Sequence, residues 1–185
     1  IIKQAIQWSP DGSSLISVIS TKDSSSVRRY DLKTGKYYDV PLQAPVEIGL
    51  FRRSDQPFRI QWHQWHAAIS PDGKIFAAPV PTKGTFFLHL WNTQTGRPRP
   101  VLENSGEVTA LAFSPDSRLL ASGDIEGVIR IWDCATGALL YVLTDHTRKI
   151  GSLAFSGDGK RLISASDYFE KHPDWAILPK GRNAT

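Results

Sequence analysis

Three groups of residues in this 185-residue chain have the types that metal binding or catalysis requires. His63 and His66 could each offer a ring nitrogen to a metal ion. Residues three apart on a strand point to opposite faces, and no cysteine or carboxylate cluster lies nearby, so the spacing argues against a shared ion. Asp-Gly pairs recur at 11–12, 72–73 and 158–159 without the alternating carboxylates of a calcium loop. We therefore predict no metal site, and the absence of phosphate-loop and dinucleotide fingerprints predicts no cofactor.

A catalytic serine is the second possibility. His146 and Ser164, with an acid, would have the residue types of a hydrolase triad. The chain lacks the Gly-x-Ser-x-Gly sequence of a nucleophile elbow. Because buried polar side chains need hydrogen-bond partners in any case, we favour a structural network over catalysis. The sequence thus predicts no catalytic residue and no enzyme.

The elements that hold these residues are marked by a turn motif that occurs four times. The intervals between the copies are 61, 44 and 42 residues. A repeat near 40 residues indicates one supersecondary unit copied in series. The copies are Ser9-Pro10-Asp11-Gly12, Ser70-Pro71-Asp72-Gly73, Ser114-Pro115-Asp116-Ser117 and Ser156-Gly157-Asp158-Gly159.

The third unit shows most clearly what is copied. Residues 107–114 have small and large apolar side chains on both faces, which is typical of a strand buried on both sides. Residues 119–122, 128–133 and 138–144 predict three further strands, each separated from the last by turn residues. Four antiparallel strands in about 42 residues make one propeller blade. The predicted fold class is therefore all-β.

A second motif repeats in step with the first. Tyr30, Trp91 and Trp132 each end a predicted third strand, at intervals of 61 and 41 residues. Each is followed by an Asp or Asn and then, three residues later, by Thr-Gly. Two independent motifs with matching periods support the assignment of a repeat array.

These motifs resemble WD-repeat β-propeller blades. Trp132-Asp133 is the dipeptide itself, and Trp91-Asn92 and Tyr30-Asp31 are near-variants. The resemblance extends from Ala5 to about residue 166 and is strongest over 66–164. The first unit is also similar to blades of periplasmic Tol-type and peptidase-associated propellers.

The resemblance implies a buried hydrogen-bonded tetrad of His, Ser or Thr, Asp and Trp in each blade. In the third unit Ser122 and Trp132 match two corners, and Glu126 takes the position of the Asp. The His position falls near Asn104-Ser105, so this corner is expected to be missing. His146 matches it for the fourth unit, with Ser164 as its partner.

The predicted domain organisation is a partial propeller over residues 1–175 and a tail at 176–185. The predicted blades cover 5–42, 66–102, 107–144 and 146–175. Three and a half blades form an incomplete ring, since closure takes four to eight. We therefore expect missing blades, supplied by the same parent chain or by self-association.

The first interval is longer than the others, and its surplus predicts a β-hairpin insertion at 43–65. Inserted loops often carry binding residues, and aromatic and arginine side chains are enriched in interface hot spots. The candidate partner-binding residues are Arg52, Arg53, Trp62, His63 and Trp65. The alternative is that the tryptophans only pack the insertion onto its blade.

Composition limits the kinds of partner and the cellular location that the sequence predicts. The net charge is +4, but the basic residues are scattered in pairs, so nucleic-acid binding is disfavoured. No apolar run approaches the ~20 residues of a membrane-spanning helix. The single cysteine, Cys134, excludes an intramolecular disulfide and favours a cytoplasmic location. The absence of methionine and the start at Ile1 predict a fragment of a longer chain.

The sequence therefore favours a noncatalytic protein-protein interaction scaffold whose partner proteins are left open. The alternative is a regulatory or substrate-gating propeller attached to an enzyme domain, namely a kinase, peptidase or protease. Fold alone does not choose between these functions.

Overall fold

The structure is a computed structural model that describes residues 6–20, 25–43, 67–82, 85–104 and 106–166. These residues form fourteen strands, and none of them belongs to a helix that is long and apolar enough to cross a membrane. The strands of the first two units are β1 (Ile6–Trp8), β2 (Ser14–Ser20), β3 (Ser25–Asp31), β4 (Tyr37–Pro41), β5 (Ala68–Ile69), β6 (Ile75–Thr82), β7 (Thr85–Asn92) and β8 (Leu102–Asn104). Those that follow are β9 (Val108–Phe113), β10 (Leu119–Asp124), β11 (Ile129–Asp133), β12 (Leu139–Leu143), β13 (Ile150–Phe155) and β14 (Leu162–Ser166).

The strands form four antiparallel sheets in chain order. Blade 1 is β1–β4, blade 2 is β5–β8 and blade 3 is β9–β12, each with its strands side by side in sequence order. Strands β13 and β14 form a two-stranded sheet, which we call blade 4. The predicted all-β class and the four-stranded blades are confirmed, and the described blades do not close a ring.

Central strands are buried on both faces, as the double-sided apolar pattern predicts. In β7, Leu88 and Leu90 face blade 3, whereas Trp91 faces blade 1. All three side chains are buried. Alternation of side chains across a strand places one set in each of two neighbouring cores.

Each pair of consecutive blades encloses its own core. Ile16, Val18 and Val27 of blade 1 pack against Phe76 and Trp91 of blade 2. The blade 2–3 core joins the leucines of β7 and β8 to Leu120, Trp132 and Cys134, and the blade 3–4 core joins Ile129 and Ile131 to Ile150 and Leu153. The innermost strands β1, β5, β9 and β13 therefore lie next to one another in succession.

Several predicted segments fall outside the described residues. Most of the predicted insertion at 43–65 does so, since description stops at Gln43 and resumes at Ala67. Residues 167–175 of the predicted fourth blade and the tail at 176–185 also lie outside them. The domain boundaries therefore stay predictions.

Candidate interaction surface and its supporting networks

All four repeated turns have the same hydrogen-bond pattern. The serine hydroxyl donates to the aspartate two residues later at 2.5–2.6 Å. The same serine oxygen accepts the backbone N–H five residues on, at 2.8–3.0 Å. The aspartate accepts the N–H two residues beyond it, at 3.0–3.1 Å. The serine hydroxyl and these two backbone N–H groups are thus bonded within the turn, which explains why Ser and Asp recur at this spacing.

These bonds stabilise the ionised aspartates. The hydroxyl of Ser9 is the main cause that lowers the pKa of Asp11 to about 2. The hydroxyls of Ser114 and Ser156 likewise lower the pKa of Asp116 and Asp158. Hydrogen bonds to a carboxylate favour its charged form, so these turns carry full negative charges at neutral pH.

One turn departs from the pattern and links two blades. The fourth turn position has positive φ in all four turns, and glycine occupies it in three of them. Ser117, at φ 62°, is the exception. Its hydroxyl accepts the backbone N–H of Asp72 at 3.1 Å, which connects blade 3 to blade 2. A left-handed conformation is unfavourable for serine, and this bond offsets the cost.

A row of basic residues follows these turns. Lys74, Arg118 and Lys160 occupy the same position in the turns of blades 2, 3 and 4, and all three are exposed. Each donates its backbone N–H to the turn aspartate, which fixes where the side chain leaves the chain. The Lys74 ammonium lies 3.9 Å from the Asp72 carboxylate, and the Lys74 side chain is 61% exposed whereas that of Asp72 is 36% exposed. Folding therefore aligns charges that are scattered in sequence.

The second set of turns lies at the same end of the blades. Asp31 and Asp133 accept the backbone N–H groups of Thr34 and Thr136 at 2.8 Å, and the side-chain carbonyl of Asn92 accepts two such groups at 2.9 Å. The pKa of Asp31 and Asp133 is lowered mainly by these backbone bonds. Because an amide oxygen accepts as well as a carboxylate here, Asn92 preserves the turn without its charge.

A buried chain of hydrogen bonds ties blade 3 together. Trp132 Nε1 donates to Ser122 Oγ at 2.9 Å, and Ser122 Oγ donates to Asn104 Oδ1 at 3.3 Å. Asn104 Nδ2 donates to the carbonyl of Gly106 at 2.7 Å. The corner that the sequence pattern left empty is therefore filled by Asn104. An Asn close to the expected His position was the available signal, since its amide both donates and accepts.

The acidic member of this blade differs from the prediction. Glu126 is exposed, so its assignment to the buried corner is wrong. The buried acid is Asp124, whose Oδ1 accepts the N–H groups of Glu126 and Val128 at 3.0 and 2.9 Å. Its Oδ2 lies 2.8 Å from the guanidinium of Arg130. Asp124 can reach these backbone groups because it begins the β10–β11 turn, whereas Glu126 lies at its tip.

In blade 4 the structure brings together the two residues that were considered for a triad. His146 Nε2 and Ser164 Oγ are 2.7 Å apart and partly buried. The pair occupies the positions of Asn104 and Ser122 in blade 3, since both pairs are eighteen residues apart. Its role as part of a tetrad stays a prediction. Among the residues that the structure describes, no three His, Cys, Asp or Glu side chains are grouped to hold a metal.

Blade 2 has the tryptophan but not its acceptor. Trp91 is 1% exposed, and its Nε1 has no hydrogen-bond partner. Ala78 lies where Ser122 lies in blade 3, because each is two residues beyond the residue opposite the tryptophan. The indole is held by stacking on Phe76 and His89, with ring centroids 5.5 Å away in both cases. Burial lowers the pKa of His89, which therefore stacks as a neutral ring at pH 7.

The candidate partner-binding residues of the insertion lie outside the described residues. These are Arg52, Arg53, Trp62, His63 and Trp65, and they stay predictions.

Comparison with known proteins identifies the repeat family that these blades match and the residues that match it. The family model for the WD domain, G-beta repeat, matches residues 96–133 and 137–168. The chain is 32% identical over 117 residues to the periodic tryptophan protein 2 homolog of Schizosaccharomyces pombe, covering 63% of this chain and 13% of that protein. It is 35% identical over 104 residues to WD repeat-containing protein SL1-17 of Schistosoma mansoni, covering 56% and 33%.

Human apoptotic protease-activating factor 1 is 43% identical to it over 75 residues, covering 36% of this chain and 6% of that protein. The chain thus spans a third or less of the length of these relatives. The matched repeats coincide with blade 3, its approach from blade 2, and blade 4. The family match, the relatives and the four-stranded sheets agree that residues 96–133 and 137–168 are repeats of the WD type.

Proposed function

We propose that this chain is a noncatalytic protein-interaction scaffold that binds its partners at the end of the blades where the repeated turns lie. The observation that carries the proposal is the row formed by Lys74, Arg118 and Lys160, exposed at one turn position on three consecutive blades. The WD-repeat relatives support an interaction role in general terms. The row of basic residues indicates which surface of the blades binds the partner.

Rigidity supports this surface as a binding site. The row is carried by turns whose serine and aspartate side chains are all hydrogen-bonded within the turn. Neighbouring turns are joined through Ser117, and Thr93 Oγ1 donates to the carbonyl of Gly73 within blade 2. A preorganised surface loses less conformational entropy when a partner binds.

Charge indicates the kind of partner. Three exposed cations at one turn position on consecutive blades favour a protein surface rich in Asp and Glu. Such contacts accelerate association and weaken as salt screens the charges over about 10 Å at 0.1 M.

Affinity capture tests the proposal. The wild-type chain and the Lys74→Glu/Arg118→Glu/Lys160→Glu variant serve as baits, and captured proteins are quantified by mass spectrometry. A matched control, Lys33→Glu/Lys36→Glu/Arg97→Glu, makes the same change in net charge on exposed residues of the outer turns. We expect a set of proteins to be lost with the first variant and retained with the control. Equal recovery of the captured proteins with both variants would exclude the row as the partner-binding surface.

The insertion is a separate candidate within the same function. Arg52→Ala/Trp62→Ala tests it in the same capture, because it removes one arginine and one aromatic anchor together. Unchanged recovery would exclude these two residues as binding anchors.

The second candidate is a regulatory or substrate-gating propeller attached to an enzyme domain. Its support is the 43% identity over 75 residues to a protein named as a protease-activating factor. A kinase, peptidase or protease domain in the same reading frame would favour this function, and further blades alone would favour the scaffold.

A further inference from the structure

The two turns at one end of each blade are joined by one backbone hydrogen bond. The carbonyl at the position of the basic row accepts the N–H of the residue that follows the Asp or Asn of the second turn. This bond joins Lys74 to Thr93 at 3.0 Å in blade 2, and Arg118 to Cys134 at 2.9 Å in blade 3. The Asp or Asn of the second turn is the preceding residue, so it lies beside the row cation of its own blade.

In blade 3 this arrangement gives Arg118 two neighbouring carboxylates. The hydroxyl of Ser114 is the main cause that lowers the pKa of Asp116, and Arg118 adds to the lowering. The pKa of Asp133 is lowered chiefly by hydrogen bonds from Thr136, and Arg118 again adds to it. The guanidinium is therefore close enough to both anions to favour their charged forms. One cation beside two anions leaves the turns of blade 3 with little positive charge to offer a partner.

Blade 2 lacks the second of these carboxylates. Lys74 lies 3.9 Å from Asp72, and the second turn places the neutral amide of Asn92 where blade 3 has Asp133. The side-chain oxygen of Asn92 accepts two backbone N–H groups, as a carboxylate oxygen of Asp133 does in blade 3. The difference between the blades is therefore one charge, with the turn kept intact.

We infer that Asn92 determines where an acidic partner binds the basic row, because it leaves Lys74 with one neighbouring carboxylate where Arg118 has two. The inference rests on the proposed function and adds that blade 2 binds the partner's carboxylates more strongly than blade 3. An approaching anion meets the sum of the local charges, so one carboxylate beside a cation weakens its attraction. The comparison concerns blades 2 and 3, since the second turn of blade 4 lies outside the described residues.

Binding of a fluorescein-labelled octaglutamate peptide to the full 185-residue chain, measured by fluorescence anisotropy at low salt, tests the inference. Asn92→Asp places a second carboxylate beside Lys74, and we expect it to raise the dissociation constant about 2- to 4-fold. Asp133→Asn removes a carboxylate beside Arg118 and should lower the dissociation constant by a similar factor. The variant with both changes keeps the net charge and moves the stronger cation to blade 3, so its affinity should be close to that of wild type.

Asp31→Asn is the matched control, because blade 1 has the same second turn but no basic residue in the row. Its row position is Ser13, whose carbonyl accepts the N–H of Leu32 at 3.1 Å. The control changes the net charge as Asp133→Asn does, and we expect it to leave the dissociation constant unchanged. At about 1 M salt, where the Debye length is about 3 Å, the differences between the variants should disappear, whereas a structural defect in a turn would persist.

The outcomes separate this inference from the proposed function. If the Lys74→Glu/Arg118→Glu/Lys160→Glu variant binds octaglutamate as wild type does, the row is not an anion-binding surface and both proposals fail. If that variant loses binding while Asn92→Asp binds as tightly as wild type, only the role of Asn92 is overturned. An equal gain in affinity from Asp31→Asn and Asp133→Asn would also overturn it, because net charge rather than the position of a carboxylate would then decide binding.

Discussion

At the residue scale, the main contrast is between two tryptophans that occupy the same position. Trp132 donates to Ser122, which donates to Asn104, so these three side chains satisfy one another's hydrogen bonds inside the core. Trp91 is equally buried, but Ala78 offers it no acceptor. A buried donor without a partner costs about 1–3 kcal/mol, so blade 2 loses stability that blade 3 retains.

We therefore expect Ala78→Ser to stabilise the protein by about 1 kcal/mol, by giving Trp91 Nε1 an acceptor. The reciprocal change, Ser122→Ala, should destabilise it by about 1–3 kcal/mol, because it leaves Trp132 unpaired. Urea denaturation measures both free energies of unfolding. If Ala78→Ser destabilised the protein by more than Ser122→Ala, the difference between the blades would lie in packing rather than in hydrogen bonding.

At the element scale, the repeated turn is the most uniform part of the fold. Its serine and aspartate make the same three bonds in every blade, including blade 4, where Gly157 replaces proline. The turn therefore depends more on its side-chain hydrogen bonds than on the proline. Because the aspartate is the acceptor, the turn is linked to pH.

The pKa of Asp116 is lower in the folded chain than in the unfolded chain, chiefly because Ser114 donates to it. Its stabilising effect is therefore present above about pH 4 and is lost as pH falls toward the lower folded value. We expect the unfolding free energies of wild type and Asp116→Asn to differ at pH 7 and to converge as pH falls below about 4. Urea titrations at each pH measure this.

Ser114→Ala provides the companion test, since it removes the donor that lowers the pKa of Asp116. Its stability difference from wild type should narrow as pH falls, and the part that comes from the lost acceptor for the Leu119 N–H should remain. A difference that stayed constant with pH would mean that the bond does not stabilise the carboxylate selectively.

At the scale of the whole molecule, each described blade packs against the next blade along the chain. Each interface has its own apolar core. Between blades 3 and 4, Thr109 Oγ1 donates to the carbonyl of Ile150 at 2.7 Å. In such a series, stability is the sum of blade terms and nearest-neighbour terms, so damage at one interface should stay local.

Thr109→Val tests this locality, because it keeps the shape of the side chain and removes the donor. We expect a loss of about 1–3 kcal/mol and faster hydrogen exchange in β13 and β14, with β2 and β3 unchanged. Thr144→Val, at an exposed threonine, is the control. Faster exchange throughout all four blades would show that the described array unfolds as one unit.

Much of this architecture could be predicted because local motifs mark it. Ser-Pro-Asp-Gly and the Asp-x-x-Thr-Gly turns each satisfy their hydrogen bonds within a few residues, so their spacing predicts where strands end. The strands assigned to the third unit agree with β9–β12 to within two residues at each end. The assignment of Glu126 failed because burial, unlike turn position, depends on what packs across the blade.

Sequence by itself determined the repeat, the all-β class and the order of the strands, since these follow from turn chemistry and alternation along the chain. Only the tertiary structure decided which side chains meet. It placed Asn104 beneath Ser122, left Trp91 without an acceptor, aligned Lys74 with Arg118 and Lys160, and left the apolar strand β12 exposed at the outer side of blade 3. Each of these depends on contacts between residues that are distant in sequence, or on the position of a strand in its sheet, and local patterns carry no record of either.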